Sequence, residues 1–384
     1  MPSATSQLDG KTLLFLVSED WYFCSHRLPI ARAARDAGAR VAVACRVRDH
    51  GTIIRKEGFD LHPIGLNRSG RNPLADIATI MALRKLYRQV RPDIVHQVAV
   101  KPVLYGSIAA WLAGVPHVVN AMAGLGFVFI SSGLFASLLR PVLAAAFRIL
   151  LNRERSRLIL QNGDDSALFQ SRIGIHPDRI AIIRGSGVDT DAFAPSPEPA
   201  GPVVASCVSR MLWDKGIGEL VEAARMLRQN GTDIVVRLVG PTDDNPASIP
   251  VETLEKWRAE GVVDIAGPTT DVAGVYAASH IAVLPSYREG LPKSLLEAAA
   301  CGLPMVATDV PGCREVCRDG ETGLLVPVRQ AKPLADALAR LAEDAALRKR
   351  YGAAARRAAE TEFAEPVITG QTLALYETML RGEN

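Results

Sequence analysis

The sequence predicts an α/β protein of two domains, each a parallel sheet with helices packed on it. Three observations carry this. Short apolar runs alternate with helical stretches along the chain, the rhythm of strand–helix–strand units. At 384 residues the chain is too long for one ordinary core, and two domains of roughly 190 residues are expected. Charge divides as well. Residues 1–198 carry 24 Lys and Arg against 16 Asp and Glu, a balance of +8, whereas the remainder carries 20 against 25, a balance of −5. That split falls in the proline-rich stretch 195–202, the natural linker. The basic half could face nucleic acid or an anionic membrane surface.

In the first half, 12–17 reads as a buried strand and 18–25 as a loop. A helix follows, with Leu28, Ile30, Ala33, Ala34 and Ala37 among its apolar positions, and 41–45 is the second strand. The loop holds no G-x-G-x-x-G, which argues against a dinucleotide site of the usual kind. It offers Trp21, Tyr22, Ser25, His26 and Arg27 instead. His26 is a candidate base or anion-binding donor, and a helix-capping or partly buried histidine is the competing reading. A helix at 73–90, a strand at 93–98, a helix at 102–113 and a strand at 117–120 continue the rhythm. Gly124 and Gly126 then mark a loop at a strand's carboxyl end where backbone can approach a ligand, although Phe129 stands where a dinucleotide pattern has its third glycine.

From 102 to 139 there is no Asp, Glu, Lys or Arg. Glycines and the 117–120 strand interrupt the span, so no transmembrane helix is expected. Within it begins an apolar helix at 133–151 whose charges are Arg140 and Arg148, followed by Arg153, Arg155 and Arg157. Such a helix suits the surface of an anionic bilayer; the alternative is a helix buried between domains with its arginines at the rim. A strand at 158–161, a helix at 164–171 and a strand at 180–183 close this half. Asp189-x-Asp191 resembles a metal-holding pair but leads straight into the linker stretch, and is set aside. The six cysteines show no paired C-x-x-C spacing, and Cys313-x3-Cys317 is a weak metal signal. Inert thiols in a reducing cytoplasm are expected. The polar start of the chain reads as neither signal peptide nor anchor.

In the second half a strand at 203–209 leads into Arg210-Met211-Leu212-Trp213-Asp214-Lys215-Gly216 and a helix at 217–229. Two cations at a strand's carboxyl end, beside a helix N-terminus, suit a diphosphate. A strand at 234–239, a helical region at 246–260, a strand at 263–266 and a short helix at 271–279 follow. The stretch 281–302 then runs from an apolar strand at 281–284 through a polar loop to Gly290-Leu291-Pro292, with Pro292 in the first turn of a helix at 293–301. Open α/β sheets bind ligands at such strand–loop–helix junctions. Glu289 in the loop and Glu297 in the helix frame the pocket, Glu289 at its mouth and Glu297 lower down. A solvated loop charge and an exposed helix residue are the competing reading. Two helices within 331–362 and a last helix at 367–380 end the chain.

Together SRMLWDKG, VGPTDDNP, LPSYREGLPKSLLEAAACG, SHRLPI and GLGFVFI resemble the retaining glycosyltransferases of family 4, which have the GT-B fold: two facing Rossmann-like domains with a C-terminal helix crossing back to the first. Within that family the likeness is to bacterial transferases that extend undecaprenyl-diphosphate-linked sugars. The resemblance implies an acceptor-binding domain at 1–198, a nucleotide-sugar domain at 199–365, a returning helix at 366–384, and hinges near 195–202 and 363–366. It implies that Arg210 and Lys215 hold the donor diphosphate, that Glu297 takes the ribose hydroxyls, and that Glu289 contacts the transferred sugar with backbone help from Gly290, Leu291 and Pro292. The donor would be a nucleotide-sugar, most simply UDP-linked. The acceptor would be a lipid-linked sugar at an anionic membrane surface on the cytoplasmic side, with no metal, no cofactor and no nucleic acid. Many relatives carry a histidine after the 117–120 strand, where this chain has Asn120-Ala121-Met122. The first-domain group that touches the sugar is therefore open, with His26, Gly124 and Gly126 as candidates. A nucleotide-sugar epimerase of the same architecture and a catalytically silent binding scaffold are the rival functions.

Overall fold

The computed structural model describes residues 6–65, 73–122, 134–243 and 245–382. The chain divides into two compact units, Met1–Ser186 with Ile368–Asn384, and Gly187–Val367. The expected loop at Gly124 and Gly126 lies outside the described residues.

The first unit is a seven-stranded sheet of β1 (Thr12–Glu19), β2 (Arg40–Arg46), β3 (Asp60–Pro63), β4 (Ile94–Val98), β5 (His117–Met122), β6 (Ser156–Leu160) and β7 (Ile180–Ile182), in the order β3-β2-β1-β4-β5-β6-β7. Its strands pair in parallel. The inner strand β1 is apolar on both faces because helices cover both, and Leu13 to Val17 are buried without alternation. Strand order reverses between β1 and β4, which opens a crevice at their carboxyl ends.

Several elements differ from expectation. The stretch after β1 is a helix, Asp20–His26, anchored by the buried Asp20 carboxylate, which accepts the N–H groups of Trp21 at 2.8 Å, Arg48 at 2.7 Å and His50 at 2.9 Å. The half-buried edge strand β3 and the helix Gly51–Lys56 before it are additional elements. Strand β5 runs on to Met122, so Asn120 is core, accepting from Ser107 Oγ and donating to Ser156 Oγ at 3.0 Å each. The helix Leu134–Leu151 buries Phe147, Leu150 and Leu151 and exposes Val142, Arg148 and Ile149. No helix among the described residues is long and apolar enough to cross a membrane.

The second unit is a six-stranded parallel sheet of β8 (Val203–Val208), β9 (Ile234–Val239), β10 (Asp264–Gly267), β11 (Ile281–Leu284), β12 (Met305–Thr308) and β13 (Gly323–Val326), ordered β10-β9-β8-β11-β12-β13. Here the order reverses between β8 and β11. The proline-rich stretch lies inside this unit: the His280 ring bonds Pro199 O at 3.0 Å and Glu198 accepts from Arg348 Nε at 2.5 Å, while just before the stretch Phe193 O accepts from Arg356 Nη1 at 2.9 Å. The boundary between units falls earlier, at Ser186/Gly187, and the chain returns at Val367/Ile368. These two passages lie side by side, Val188 N donating to Phe363 O at 2.9 Å and Glu365 N to Val188 O at 3.0 Å. From Ile368 onward the last helix, Glu365–Arg381, belongs to the first unit, where Ile368, Tyr376 and Met379 share a core with Phe15 and Phe23.

Candidate active site in the second unit

The residues singled out in the second half gather at its switch point. Strand β8 ends at Val208, and the loop after it makes a tight turn, Trp213–Lys215, closed by Gly216 at φ +70°. A Cβ on Gly216 would lie 2.0 Å from Pro285 O, so only glycine lets this loop rest on the end of β11. The contact is stitched by Tyr287 N donating to Asp214 O at 2.9 Å and by Ser286 Oγ within 3.2 Å of the same carbonyl. Two loops far apart in sequence thus come together, and Lys215 Nζ ion-pairs Glu289 Oε1. Their side chains are 20% and 12% exposed, which takes both charges well out of bulk water.

Glu297 stands on the helix Lys293–Ala300, its side chain 11% exposed and its Oε1 3.6 Å from Lys293 Nζ. Burial pushes its carboxyl up from the usual range while Lys293 pulls it down. The side chains of Glu289 and Glu297 are thus both largely withdrawn from solvent, and neither is a freely solvated charge. Pro292 is the residue before the helix, at φ −76° and ψ 116°, with no side-chain cap on the helix start. Proline has no N–H, so the backbone donors of this turn are those of Gly290 and Leu291.

Arg210 leaves the same loop as Lys215 but pairs with Asp243, and its side chain is 52% exposed. The structure brings together Lys215 and Glu289, not Arg210 and Lys215. His26 belongs to the first unit, closing the helix after β1. Its ring stacks on Tyr22 at 4.4 Å and its Nδ1 lies 2.6 Å from Ser25 Oγ.

The support beneath this loop is not legible in the sequence. Thr308 Oγ1 donates to Ser286 O from the end of β12. Gly312, in the helix Pro311–Val316, lies so close that a Cβ there would sit 2.5 Å from Gly290 O. Tyr287 OH donates to Glu219 Oε1 at 2.6 Å, and Arg329 lies over its ring at 4.5 Å. Tyr276, buried, donates to Ser294 O at 2.7 Å beside Glu297. The Pro311-Gly312 pair after a short apolar run was the available signal. Asp189 Oδ1 accepts the N–H groups of Asp191 and Ala192 at 3.0 and 2.9 Å, a local turn. Among the described residues no group of His, Cys, Asp and Glu is arranged to hold a metal ion. Cys313 and Cys317 are buried, and burial pushes both thiols well up.

Residues 188–358 match the family described as glycosyl transferases group 1, and residues 12–162 match the family described as glycosyl transferase 4-like. Between them the two matches span both units. The chain is a glycosyltransferase. The transferase is 28% identical over 371 residues to the N,N'-diacetylbacillosaminyl-diphospho-undecaprenol alpha-1,3-N-acetylgalactosaminyltransferase of Campylobacter jejuni, covering 92% of this chain and 95% of that protein. It is 26% identical to the UDP-Gal:alpha-D-GlcNAc-diphosphoundecaprenol alpha-1,3-galactosyltransferase of Escherichia coli, over 71% of this chain and 72% of that one. In fold the transferase resembles a Rickettsia africae glycosyltransferase, with TM-score 0.78 at 18% identity over 97% and 99% of the two chains. It also resembles Anabaena HepE in complex with UDP, with TM-score 0.78 at 19% identity over 96% and 100%. The two Rossmann-like units of the transferase are those of the GT-B class.

Proposed function

We propose that this glycosyltransferase moves a hexose or N-acetylhexosamine, with retention of anomeric configuration, from a UDP-sugar to a polyprenyl-diphosphate-linked sugar, working peripherally at the cytoplasmic face of an anionic membrane. The observation that carries the donor half is the withdrawn Lys215–Glu289 pair at the switch point of the second sheet, with Glu297 on the adjoining helix. The acceptor half is supported by two relatives named for sugars on diphospho-undecaprenol. The membrane half is supported by the outer face of the helix Leu134–Leu151, where Val142 is 65% and Ile149 69% exposed beside Arg148.

In this reading Lys215 turns from Glu289 toward the donor diphosphate and, with Arg210, neutralises charge on the leaving group. Glu297 accepts from the ribose hydroxyls. Glu289, released from Lys215, holds the sugar against the N–H groups of Gly290 and Leu291. The bond from the anomeric carbon to the diphosphate oxygen breaks with its electron pair going to that oxygen. The acceptor hydroxyl bonds the anomeric carbon from the same face, and its proton passes to the departing diphosphate. His26 is the candidate contact from the first unit. Gly124 and Gly126 stay candidates from sequence alone.

Incubating the protein with UDP-sugars, with and without a polyprenyl-diphosphate sugar, tests this by mass spectrometry. A hexose or N-acetylhexosamine mass added to the lipid-linked acceptor is expected. Conversion of UDP-sugar to another UDP-sugar without acceptor would favour an epimerase and sink the proposal.

A further inference from the structure

The amino-terminal edge of the first sheet lies opposite the carboxyl edge that carries His26. There, between the starts of β5 and β6 and the end of the last helix, is a cavity of about 230 Å³ bordered by His117, Glu154, Arg155, Arg157, Met379 and Arg381. At roughly 30 Å³ per water it has room for a phosphoryl group with its hydration.

Arg157 is only 7% exposed. Its Nη1 donates to Glu154 O at 3.1 Å and Ser156 O at 3.0 Å, and Arg179 Nη1 donates to the same Glu154 O at 2.9 Å. Two guanidinium groups therefore converge on one carbonyl oxygen. A withdrawn arginine ordinarily has a carboxylate partner. Yet no carboxylate among the described residues lies within ion-pairing distance of Arg155, Arg157 or Arg179, and the neighbouring Asp178 is turned to His176 at 3.2 Å. Burial, then Arg179, lowers the pKa of the Arg157 guanidinium from the ordinary arginine range, and Asp178 opposes this. Among the described residues, the Glu154 carboxylate borders the cavity together with Arg155, Arg157 and Arg381.

We propose that this cavity is a phosphate-binding site, taking a phosphoryl or diphosphate group on Arg155, Arg157 and Arg381. Such an anion would accept bidentate donors from the guanidinium groups that border the cavity. It would also tie the end of the last helix to β5 and β6. The group can come from a soluble phosphate or from a phospholipid headgroup, and two arms distinguish these sources.

In the first arm, thermal unfolding of the full chain is followed in sodium diphosphate and in sodium chloride of equal ionic strength. A diphosphate-specific rise in Tm is expected. It should persist in Lys215→Ala, which disables the donor site, and vanish when Arg155→Gln/Arg381→Gln is added to that background, since these exposed side chains can be replaced without unfolding the protein. Calorimetric affinity for diphosphate in the Lys215→Ala background should fall at least tenfold in the triple variant. In the second arm, flotation with phosphatidylglycerol vesicles is compared with phosphatidylcholine vesicles. A phosphatidylglycerol preference lost in Arg155→Gln/Arg381→Gln assigns the headgroup as source, and an unchanged preference together with the lost Tm rise assigns a soluble anion. If the double variant changes neither the diphosphate response nor the vesicle preference, the proposal is wrong.

Discussion

Replacing Lys215 by alanine removes the cation that, among the described residues, pairs with Glu289. Two losses follow, and they are separable. Without ligand, Glu289 keeps a side chain only 12% exposed and loses its partner. Fully exposed pairs contribute about 0–1 kcal/mol and breaking fully buried ones costs about 3–5 kcal/mol. For this intermediate pair a cost of about 1–2 kcal/mol in unfolding free energy is expected. With the donor bound, a charge-assisted bond to the diphosphate is lost, worth about 2 kcal/mol or more. That amounts to roughly 30-fold in kcat/KM at 25 °C. Steady-state kinetics on a UDP-sugar and an acceptor, alongside urea unfolding, measure both. In a double-mutant cycle with Glu289→Ala the stability losses should be non-additive by about 1 kcal/mol, because the two changes remove one contact. Wild-type kcat/KM within twofold, or additive losses, would refute the pairing and its role.

Three further outcomes are expected. Gly312→Ala places a Cβ 2.5 Å from Gly290 O; it should displace the Glu289 loop, cost about 1–3 kcal/mol of stability and lower kcat more than it raises KM, all read from urea unfolding and kinetics. In the first unit, burial and then Arg27 press the fully buried His96 well below the ordinary histidine range, with its Nδ1 2.5 Å from Tyr376 OH. Because the folded pKa lies below the unfolded one, this contribution is complete above about pH 6.5 and is lost as pH falls from there, by about 1.4 kcal/mol per unit for one proton. Tyr376→Phe should itself cost about 1–3 kcal/mol, which chemical denaturation at pH 7.5 and 5.5 would measure. Flotation with anionic liposomes should fall in high salt and in Arg140→Gln/Arg148→Gln; binding indifferent to both would exclude the helix Leu134–Leu151 as the contact.

The sequence made the sheets legible where apolar runs stand alone between breakers. Strand β11 ends at Leu284 because Pro285 follows, and the helix Ile217–Gln229 begins after Gly216 as expected. It was poor where tertiary contacts decide. Helix Asp20–His26 is anchored through Asp20 by backbone donors at Arg48 and His50, contacts that no local pattern reveals. Asn120 reads as a strand terminator, yet Ser107 and Ser156 satisfy it inside β5. The linker was misplaced because proline content resembles a flexible joint, whereas His280 fastens that stretch at the Pro199 carbonyl and Arg348 at the Glu198 carboxylate. In the candidate site, Glu289, Glu297 and Lys215 were legible from residue type beside a strand end. The partner of each cation was not, because pairing depends on how Gly216 and Pro285 let two loops meet.

The central claim, that the nucleotide-sugar is held at the switch point of the second sheet by Lys215, Glu289 and Glu297 in distinct roles, is tested most directly by calorimetric titration of UDP into the wild type, Glu297→Ala and Glu289→Ala. UDP affinity should drop at least tenfold in Glu297→Ala, which loses the ribose contact. It should stay near wild type in Glu289→Ala, whose defect should show only in turnover of the whole UDP-sugar. Equal UDP affinity in all three proteins would contradict the assignment.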